Sequence, residues 1–483
     1  MRGILTLAPL QIAQALAGLG AIAAFTRLMS AEEFGHYALA LSASMLAHTL
    51  VFTWAEAAAF RFLPTARVEG RLADHFATLL ALAIGIGALV LIATVVMLTL
   101  SGMDENTLAL AAFAVGAAVF RFVIRIARES DRAAQAVARY AALETAYLLI
   151  GFALGVALLM RFDLGAAAPF AGLLLAGVVI LFIDAPRLFA QARGGKASIA
   201  RSTSYAAYGA PLALALAIDL GVQTIARFIL ANQAGASEVG AYAAAFGLAR
   251  PLDLLFLAAG TALSPALLAA YEDRGAAAVK DTARPGFAMM AAIGVPAALG
   301  LALVVTPLSA LLIGNALSAD AARALPWLGA AALFSGFGLY YLSEAFQLTR
   351  RTGLRAVVML VPGAVQLTLT ALLARDLGAV GAAIAAAAGA ATSAALLFLV
   401  GRKLIALPLP GGELARIGCA SAAMAAIVLL MPHETIAHLP WAVAAGAGAY
   451  VLAAFAFDVV GVRSLFLTRA FRHALFAEQY HAR

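Results

Sequence analysis

The sequence predicts an all-α integral membrane protein of about fourteen spans, with two parallel six-helix lobes followed by two extra C-terminal helices. Three observations lead there. Apolar residues make up 64% of the 483 positions and charged residues only 12%, against roughly 45–50% and about 25% in soluble chains. Long apolar runs recur, each close to the ~20 residues that cross a bilayer as a helix. Basic residues between these runs are dense in every second loop and sparse in the others.

So little polar surface does not cover a soluble fold, and lipid is the expected solvent. Inside hydrocarbon every backbone polar group must be satisfied within the segment, so the apolar runs are read as helices. They fall near 4–26, 37–60, 76–100, 107–127, 141–160, 166–183, 205–230, 240–270, 286–313, 325–348, 356–374, 378–401, 415–431 and 440–460. The first run follows a single Arg2 and lacks a small-residue cleavage site, so it reads as a retained span. Cys419 is the only cysteine, which excludes an intramolecular disulfide and any cysteine-based metal spacing.

The charges test this count. With loops numbered by the span before them, the odd loops hold only Arg27, Arg161, Arg227, Arg323 and Arg375. The even loops and termini hold nearly all the rest, including Arg61, Arg67 and Arg71, the run Arg121–Arg125–Arg128–Arg132–Arg139, and Arg350, Arg351 and Arg355. The positive-inside rule places the basic side, and both termini, in the cytoplasm. The net charge of +7 therefore reads as topology and contact with anionic lipid, not nucleic-acid binding.

The chain also resembles itself at an offset of about 205 residues. Glu33-Phe34-Gly35-His36-Tyr37-Ala38 matches Glu238-Val239-Gly240-Ala241-Tyr242-Ala243, Ala8-Pro9-Leu10 matches Ala210-Pro211-Leu212, and Asp163-Leu164-Gly165-Ala166 matches Asp376-Leu377-Gly378-Ala379. Six spans per unit is even, so the halves are parallel repeats. The expected organisation is an N-lobe over 1–183, a basic cytoplasmic linker over 184–204, a C-lobe over 205–403, two further spans over 404–461 and a tail over 462–483. The tail alternates Leu465, Phe466, Phe471 and Phe476 with Arg469 and Arg472, which predicts an amphipathic helix on the inner membrane surface.

Charges inside spans are costly and usually face a cavity or a partner. Span seven carries Asp219, Gln223 and Arg227 on one helix face, and span eight carries Arg250 and Asp253 one turn apart. Counting about 1.5 Å per residue sets Asp219 and Arg250 both near mid-depth. Span two carries Ser44, His48 and Glu56 on one side, and span one offers Gln11 and Gln14. Span ten carries Tyr340, Glu344, Gln347 and Arg351; Glu344 and Arg351 lie near its cytoplasmic end and are expected to reach water by snorkelling. These positions either lock helices together as neutral clusters or serve transport, with Asp219, Asp253, Glu56 and His48 as coupling candidates. There is no phosphate-binding glycine loop ending in Lys-Ser or Lys-Thr and no His-Glu-x-x-His, so neither an ATPase nor a zinc hydrolase is expected, and no cofactor.

The first eighty residues carry a family resemblance. Thr26-Arg27-Leu28-Met29-Ser30-Ala31-Glu32-Glu33-Phe34-Gly35-His36-Tyr37 and Phe60-Arg61-Phe62-Leu63-Pro64, echoed by Val239-Gly240-Ala241-Tyr242 and by Leu377-Gly378-Ala379-Val380-Gly381, are similar to the oligosaccharide flippase family of the multidrug/oligosaccharidyl-lipid/polysaccharide exporter superfamily. The resemblance implies two six-helix lobes in a bacterial inner membrane that move polyprenyl-diphosphate-linked sugars from the cytoplasmic to the periplasmic leaflet by alternating access. Partners so implied are the lipid-linked oligosaccharide, membrane lipids, and a polysaccharide polymerase with its chain-length machinery. In that family the first two helices of each lobe line a cavity, often cationic. Here Arg27, Arg227 and Arg250 are the cations that fit a diphosphate, with Gln11, Gln14 and Gln223 beside them. Asp253, one turn from Arg250, departs from a purely cationic pattern. Two other classes stay open: a cation-coupled exporter of small amphiphiles from the same superfamily, and a polymerase or ligase, which the short external loops disfavour.

Overall fold

The structure, a computed structural model, describes residues 2–432 and 434–464, with side chains from residue 14 onward. Gln11 and all but the first residues of the expected tail helix lie outside the described side chains. Among the described residues the regular elements are all helical. In chain order they are α1 (Arg2–Leu28), α2 (Ala31–Val51), α3 (Thr53–Val68), α4 (Leu72–Leu100), α5 (Glu105–Ala133), α6 (Val137–Arg161), α7 (Ala168–Ala192), α8 (Ile199–Ala234) and α9 (Ala236–Arg274). There follow α10 (Ala276–Leu303), α11 (Val305–Leu312), α12 (Asn315–Phe337), a π-turn (Gly338–Leu342), α13 (Glu344–Leu348), α14 (Thr352–Val358), α15 (Leu360–Gly401), α16 (Gly411–Leu430) and α17 (Leu439–Ala456).

Eleven of the described helices are long and apolar enough to cross a membrane, or up to twelve when the bent pair α2–α3 is taken as one span. The fourteen expected spans are not reached by that measure. Two features bear on the difference. Only the stretch Gln14–Leu28 of α1 enters the comparison, and it is short. In addition, α15 is not one rod. Gly378 sits at φ 53° and ψ −132°. A Cβ on Gly381 would stand 2.5 Å from the Leu373 carbonyl oxygen, and one on Gly389 would stand 2.9 Å from Gln366 Cβ. Residues so far apart in sequence meet only if the chain folds back at Gly378, so α15 is a hairpin of two helices. Gly165, the repeat counterpart of Gly378, also has a positive φ, 46°. Both members of that matched pair thus occupy the left-handed region that only glycine enters at little cost.

By packing, the chain divides into two compact units, Met1–Ala243 and Ala244–Arg483. The lobe boundary expected at 184–204 follows the sequence repeat; by contacts, α8 packs with the first unit, against α2 and α3.

In the first unit, α6 and α7 meet most closely where Gly151 and Gly155 face Gly172. A Cβ on Gly172 would stand 2.5 Å from the Gly151 carbonyl oxygen. This is small-xxx-small packing, in which absent side chains let backbones approach and gain dispersion contacts. On α4, Ile84, Leu89, Ile92, Val95 and Met97 stay exposed, a surface suited to acyl chains and not to water. α5 starts on Asp104, whose carboxylate accepts from the Thr107 hydroxyl at 2.7 Å and the Thr107 N–H at 3.1 Å. The Thr107 hydroxyl, then its N–H, hold the Asp104 carboxyl below its usual range. A depressed pKa stabilises the fold above the unfolded value and ceases to do so as pH falls through the folded one. Asp104→Ala is therefore expected to lower the melting temperature at neutral pH, with the difference from wild type vanishing under acid conditions.

In the second unit the core gathers Phe256, Leu267, Phe287, Tyr341, Phe346, Leu397 and Ile417. The extra helices α16 and α17 pack on each other and against α10, where the Tyr450 hydroxyl donates to the Ala292 carbonyl at 2.6 Å.

Candidate functional site

The expected polar face of span two falls on a helix that is broken. α2 ends at Val51, α3 starts at Thr53, and their axes differ by 49°. Neither proline nor glycine is present at the break. Thr49 instead donates its hydroxyl back to the Met45 carbonyl at 2.9 Å, a contact that bends helices. The Trp54 indole N–H caps the freed Val51 carbonyl at 2.9 Å. Phe52, buried at the corner, stacks on Phe122 with ring centroids 4.4 Å apart. From α8, Gly209 packs so closely that a Cβ there would stand 2.7 Å from Trp54 Cα.

His48 and Glu56 bridge this break. His48 Nε2 lies 2.8 Å from Glu56 Oε1, and Arg125 Nε of α5 lies 3.7 Å from Glu56 Oε2. The carboxylate is 6% exposed and the imidazole 18%. The Glu56 carboxylate thus lies between an imidazole and a guanidinium. The contact joins the two segments on either side of the break.

Sequence reasoning placed Arg121 to Arg139 at the cytoplasmic end of span four and after it. The structure extends α5 to Ala133 and α7 to Ala192, and folds these charges into a buried network. Arg121 donates to Glu144 at 3.2 Å and stacks over Tyr147. Arg125 and Arg132 hold Glu129 at 2.6 and 2.7 Å. Arg128 pairs with Asp184 and stands 3.3 Å from Asp131. Arg139 reaches Asp184 at 2.7 Å, and Arg187 pairs with Asp131. Arg128 and Asp131 are wholly buried. The helices run on past the apolar stretch because these charges find their opposites, along α5 for Glu129 and across to α6 and α7 for Arg121, Arg128 and Asp131, which removes the need for a solvated loop. The acids Glu129, Asp131 and Asp184, set among the arginines, were the available signal.

On α8, the stripe Asp219–Gln223–Arg227 runs from an exposed aspartate to two half-buried residues. Arg227 Nη1 donates to Ser42 Oγ at 2.7 Å, and its guanidinium lies 5.7 Å from the Tyr242 ring centre. The arginine is thus tied to α2 and to the repeat motif at the start of α9. On α1, Arg27 and Gln14 are exposed, and Arg27 Nη1 donates to the Ala23 carbonyl at 2.8 Å. Ser30 and Glu33 of the opening motif form a reciprocal capping box at the start of α2, with bonds of 3.2 and 2.8 Å.

In the second unit, Arg250 is exposed and Asp253 half-buried on α9. Glu344 does not snorkel as expected. It is 4% exposed and accepts from Ser264 Oγ at 3.1 Å and Gln347 Nε2 at 3.2 Å. The π-turn just before it, in which the Ser343 N–H donates to the carbonyl five residues back, turns Tyr341 inward, where its hydroxyl donates to the Pro408 carbonyl at 2.6 Å. Among the described residues, no group of three or more His, Cys, Asp or Glu is arranged to hold a metal ion.

This arrangement of helices is shared with solved transporters. The lipid II flippase MurJ in an inward closed conformation superposes with a TM-score of 0.75 at 14% identity, covering 95% of this chain and 99% of that one. An inward-facing multidrug resistance MATE family transporter of the MOP superfamily gives 0.63 at 17% identity, over 82% of this chain and 94% of that one. A MOP superfamily transporter from Pyrococcus furiosus gives 0.52 at 18%, over 83% and 93%. At such identities the likeness is one of fold. No curated protein matches the sequence. Residues 1–270, more than half of the chain, match the family described as polysaccharide biosynthesis protein, and to that family this multi-pass membrane protein belongs.

Proposed function

We propose that the protein flips a polyprenyl-(di)phosphate-linked oligosaccharide from the cytoplasmic to the periplasmic leaflet of a bacterial inner membrane, by alternating access, to supply surface polysaccharide synthesis. The observation that carries this is the conjunction of a polysaccharide biosynthesis family with the fold of a lipid II flippase over 95% of the chain. The match to a polysaccharide biosynthesis family favours the lipid-linked glycan over small amphiphiles. The protein acts as a transporter, not an enzyme, with both termini in the cytoplasm, the 6+6+2 plan of the repeat, and a polymerase as the consumer of its product. Arg27, Arg227 and Arg250 are the residues assigned to the diphosphate, with Gln11, Gln14 and Gln223 near the sugar. To meet a phosphate, Arg227 would share or release Ser42. Deletion of the gene is expected to abolish surface polysaccharide and to accumulate the lipid-linked sugar on the cytoplasmic side; normal polysaccharide with no accumulated intermediate would refute the reading.

The coupling step is assigned to His48 and Glu56, because they bond across the break in span two. Glu56→Gln keeps the size of the side chain and one hydrogen bond but cannot carry the charge. It is expected to leave the folded protein abundant and lower flipping about tenfold, roughly 1.4 kcal/mol on the rate-limiting step. The remaining transport in proteoliposomes should no longer respond to an imposed pH gradient. Full pH dependence in Glu56→Gln would exclude this pair from coupling.

A further inference from the structure

The second unit holds a cleft of about 570 Å³ where the chain turns between α13 and α14 and where α15 ends. Its rim carries Arg350, Arg351 and Lys403. Among the described residues, the ion pairs of this unit join Arg323 to Asp320 and Arg416 to Glu413, and no carboxylate partners the three cations of the cleft. This is the reverse of the first unit, where the arginines of α5 to α7 are matched by buried acids. The inner wall is apolar: Leu348 is buried, and Tyr271 and Leu404 pack against the core of Phe346, Leu397 and Ile405.

The backbone adds an independent observation. The turn after α13 is a Schellman closure, with Arg350 N–H donating to the Gln347 carbonyl at 3.0 Å and Arg351 N–H to the Phe346 carbonyl at 2.8 Å. The same closure after α3 is made by Gly70 at φ 67°, where the Arg71 N–H reaches the Ala66 carbonyl. After α13 the left-handed position is filled by Arg350 at φ 56°. Glycine is the residue that fits there without steric cost, and an arginine pays about 1 kcal/mol or more for the conformation. The closure after α5 is likewise filled by a non-glycine, Gln135 at φ 60°, but after α13 the residue in the left-handed position is a cation that lines the cleft.

We infer that this cleft binds the phosphate of a lipid headgroup from the adjoining leaflet, with Arg350, Arg351 and Lys403 on the phosphate and the Leu348–Leu404 wall beside the first acyl or prenyl carbons. Two guanidinium forks and an ammonium match the oxygens of a phosphate ester, and an apolar wall opening next to them suits the chain that such a headgroup carries. The site is separate from the residues assigned to transport and stands whether or not the flippase reading holds.

The test uses the full-length protein in nanodiscs. Phosphatidylglycerol and undecaprenyl phosphate are offered in separate arms, phosphatidylcholine serves as the neutral reference, and inorganic pyrophosphate as a phosphate without a chain. Retained lipid is read by native mass spectrometry. Wild type is expected to retain one anionic lipid over phosphatidylcholine, and Arg350→Gly, Arg351→Gln and Lys403→Gln each to weaken retention about tenfold. Arg67→Gln, which removes an exposed charge elsewhere, is expected to change nothing. Arg350→Gly keeps the inference falsifiable against misfolding, since glycine suits the left-handed turn and its melting temperature should equal or exceed that of wild type. Equal retention by wild type and the three variants would overturn the site. Pyrophosphate binding that is lost in Arg350→Gly, with no lipid retained by wild type, would overturn the lipid assignment in favour of a soluble phosphate.

Discussion

Asp184→Ala is expected to be among the most damaging single substitutions in the protein, lowering unfolding free energy by about 3–5 kcal/mol. Arg128 is wholly buried. Its Nε and Nη1 have no hydrogen-bond partner among the described residues, so its charge is compensated through Nη2 alone, by Asp184 and by Asp131 at 3.3 Å. Removing Asp184 leaves three guanidinium groups, the wholly buried Arg128 and the partly exposed Arg139 and Arg187, facing a single carboxylate. Removing the cation instead should be milder. Arg128→Met leaves Asp131 with Arg187 and Asp184 with Arg139, a balanced set, and fills the space with an apolar chain; a loss under about 2 kcal/mol is expected. The double variant Asp184→Ala/Arg128→Met should recover much of what Asp184→Ala loses. Denaturant unfolding of the purified protein in detergent micelles measures all three. If Arg128→Met proved as harmful as Asp184→Ala, the order of effects would show that the arginine, not the balance of charges, holds α5 to α7.

Gly35→Ala is the second. Gly35 lies in the first copy of the repeated motif and Ala236 just before the second, and both belong to the first unit. A Cβ on Gly35 would overlap the Ala236 carbonyl group itself. Backbone cannot rotate away as a side-chain tip can, so the start of α2 and the start of α9 must separate, at a cost of about 3 kcal/mol. The same substitution at Gly18 meets nothing within 4 Å, and there alanine should stabilise the helix by up to about 1 kcal/mol. Opposite signs for one chemical change would isolate packing from helix propensity. Equal melting temperatures for Gly35→Ala and wild type would mean that the two motif copies do not press on each other.

The elements legible in the sequence are those set by local physics. Hydropathy over windows of about twenty residues located nearly every helix, because lipid demands an apolar exterior and internal backbone bonding wherever a span lies. Ser30 and Glu33 stood in the motif that carries the family resemblance and Gly165 and Gly378 in the repeat match, but the capping box and the left-handed turns they form were seen only in the structure. His48 and Glu56 were listed together on one side of span two; what brings them into contact is the bend between them, not regular helix periodicity. Their purpose was less legible. Nothing local signals the 49° break between them, which rests on the Trp54 cap, the Thr49 back-bond and the wedge of Phe52 against Phe122.

Charge was read poorly in place. Counting Arg and Lys by loop gave a consistent topology, but it treated Arg121 to Arg139 as solvated loop charges, because a charge in isolation belongs in water. Whether an arginine is solvated or buried depends on whether a carboxylate from another helix stands opposite it, and that partner, Glu144 or Asp184, lies dozens of residues away. Likewise Glu344 was expected to reach for water and instead accepts from Ser264 of α9.

Composition and periodicity by themselves determined that this chain is a bundle of membrane helices, for each helix answers to the solvent around it. Only the tertiary structure decided which charges pair with one another, as in α5 to α7, and which have no carboxylate partner among the described residues, as in the cleft of Arg350, Arg351 and Lys403. Coulomb interactions in a medium of low dielectric depend on distances between helices, and those distances are set by packing contacts such as Gly35 on Ala236 and Gly172 on Gly151, which no single segment contains.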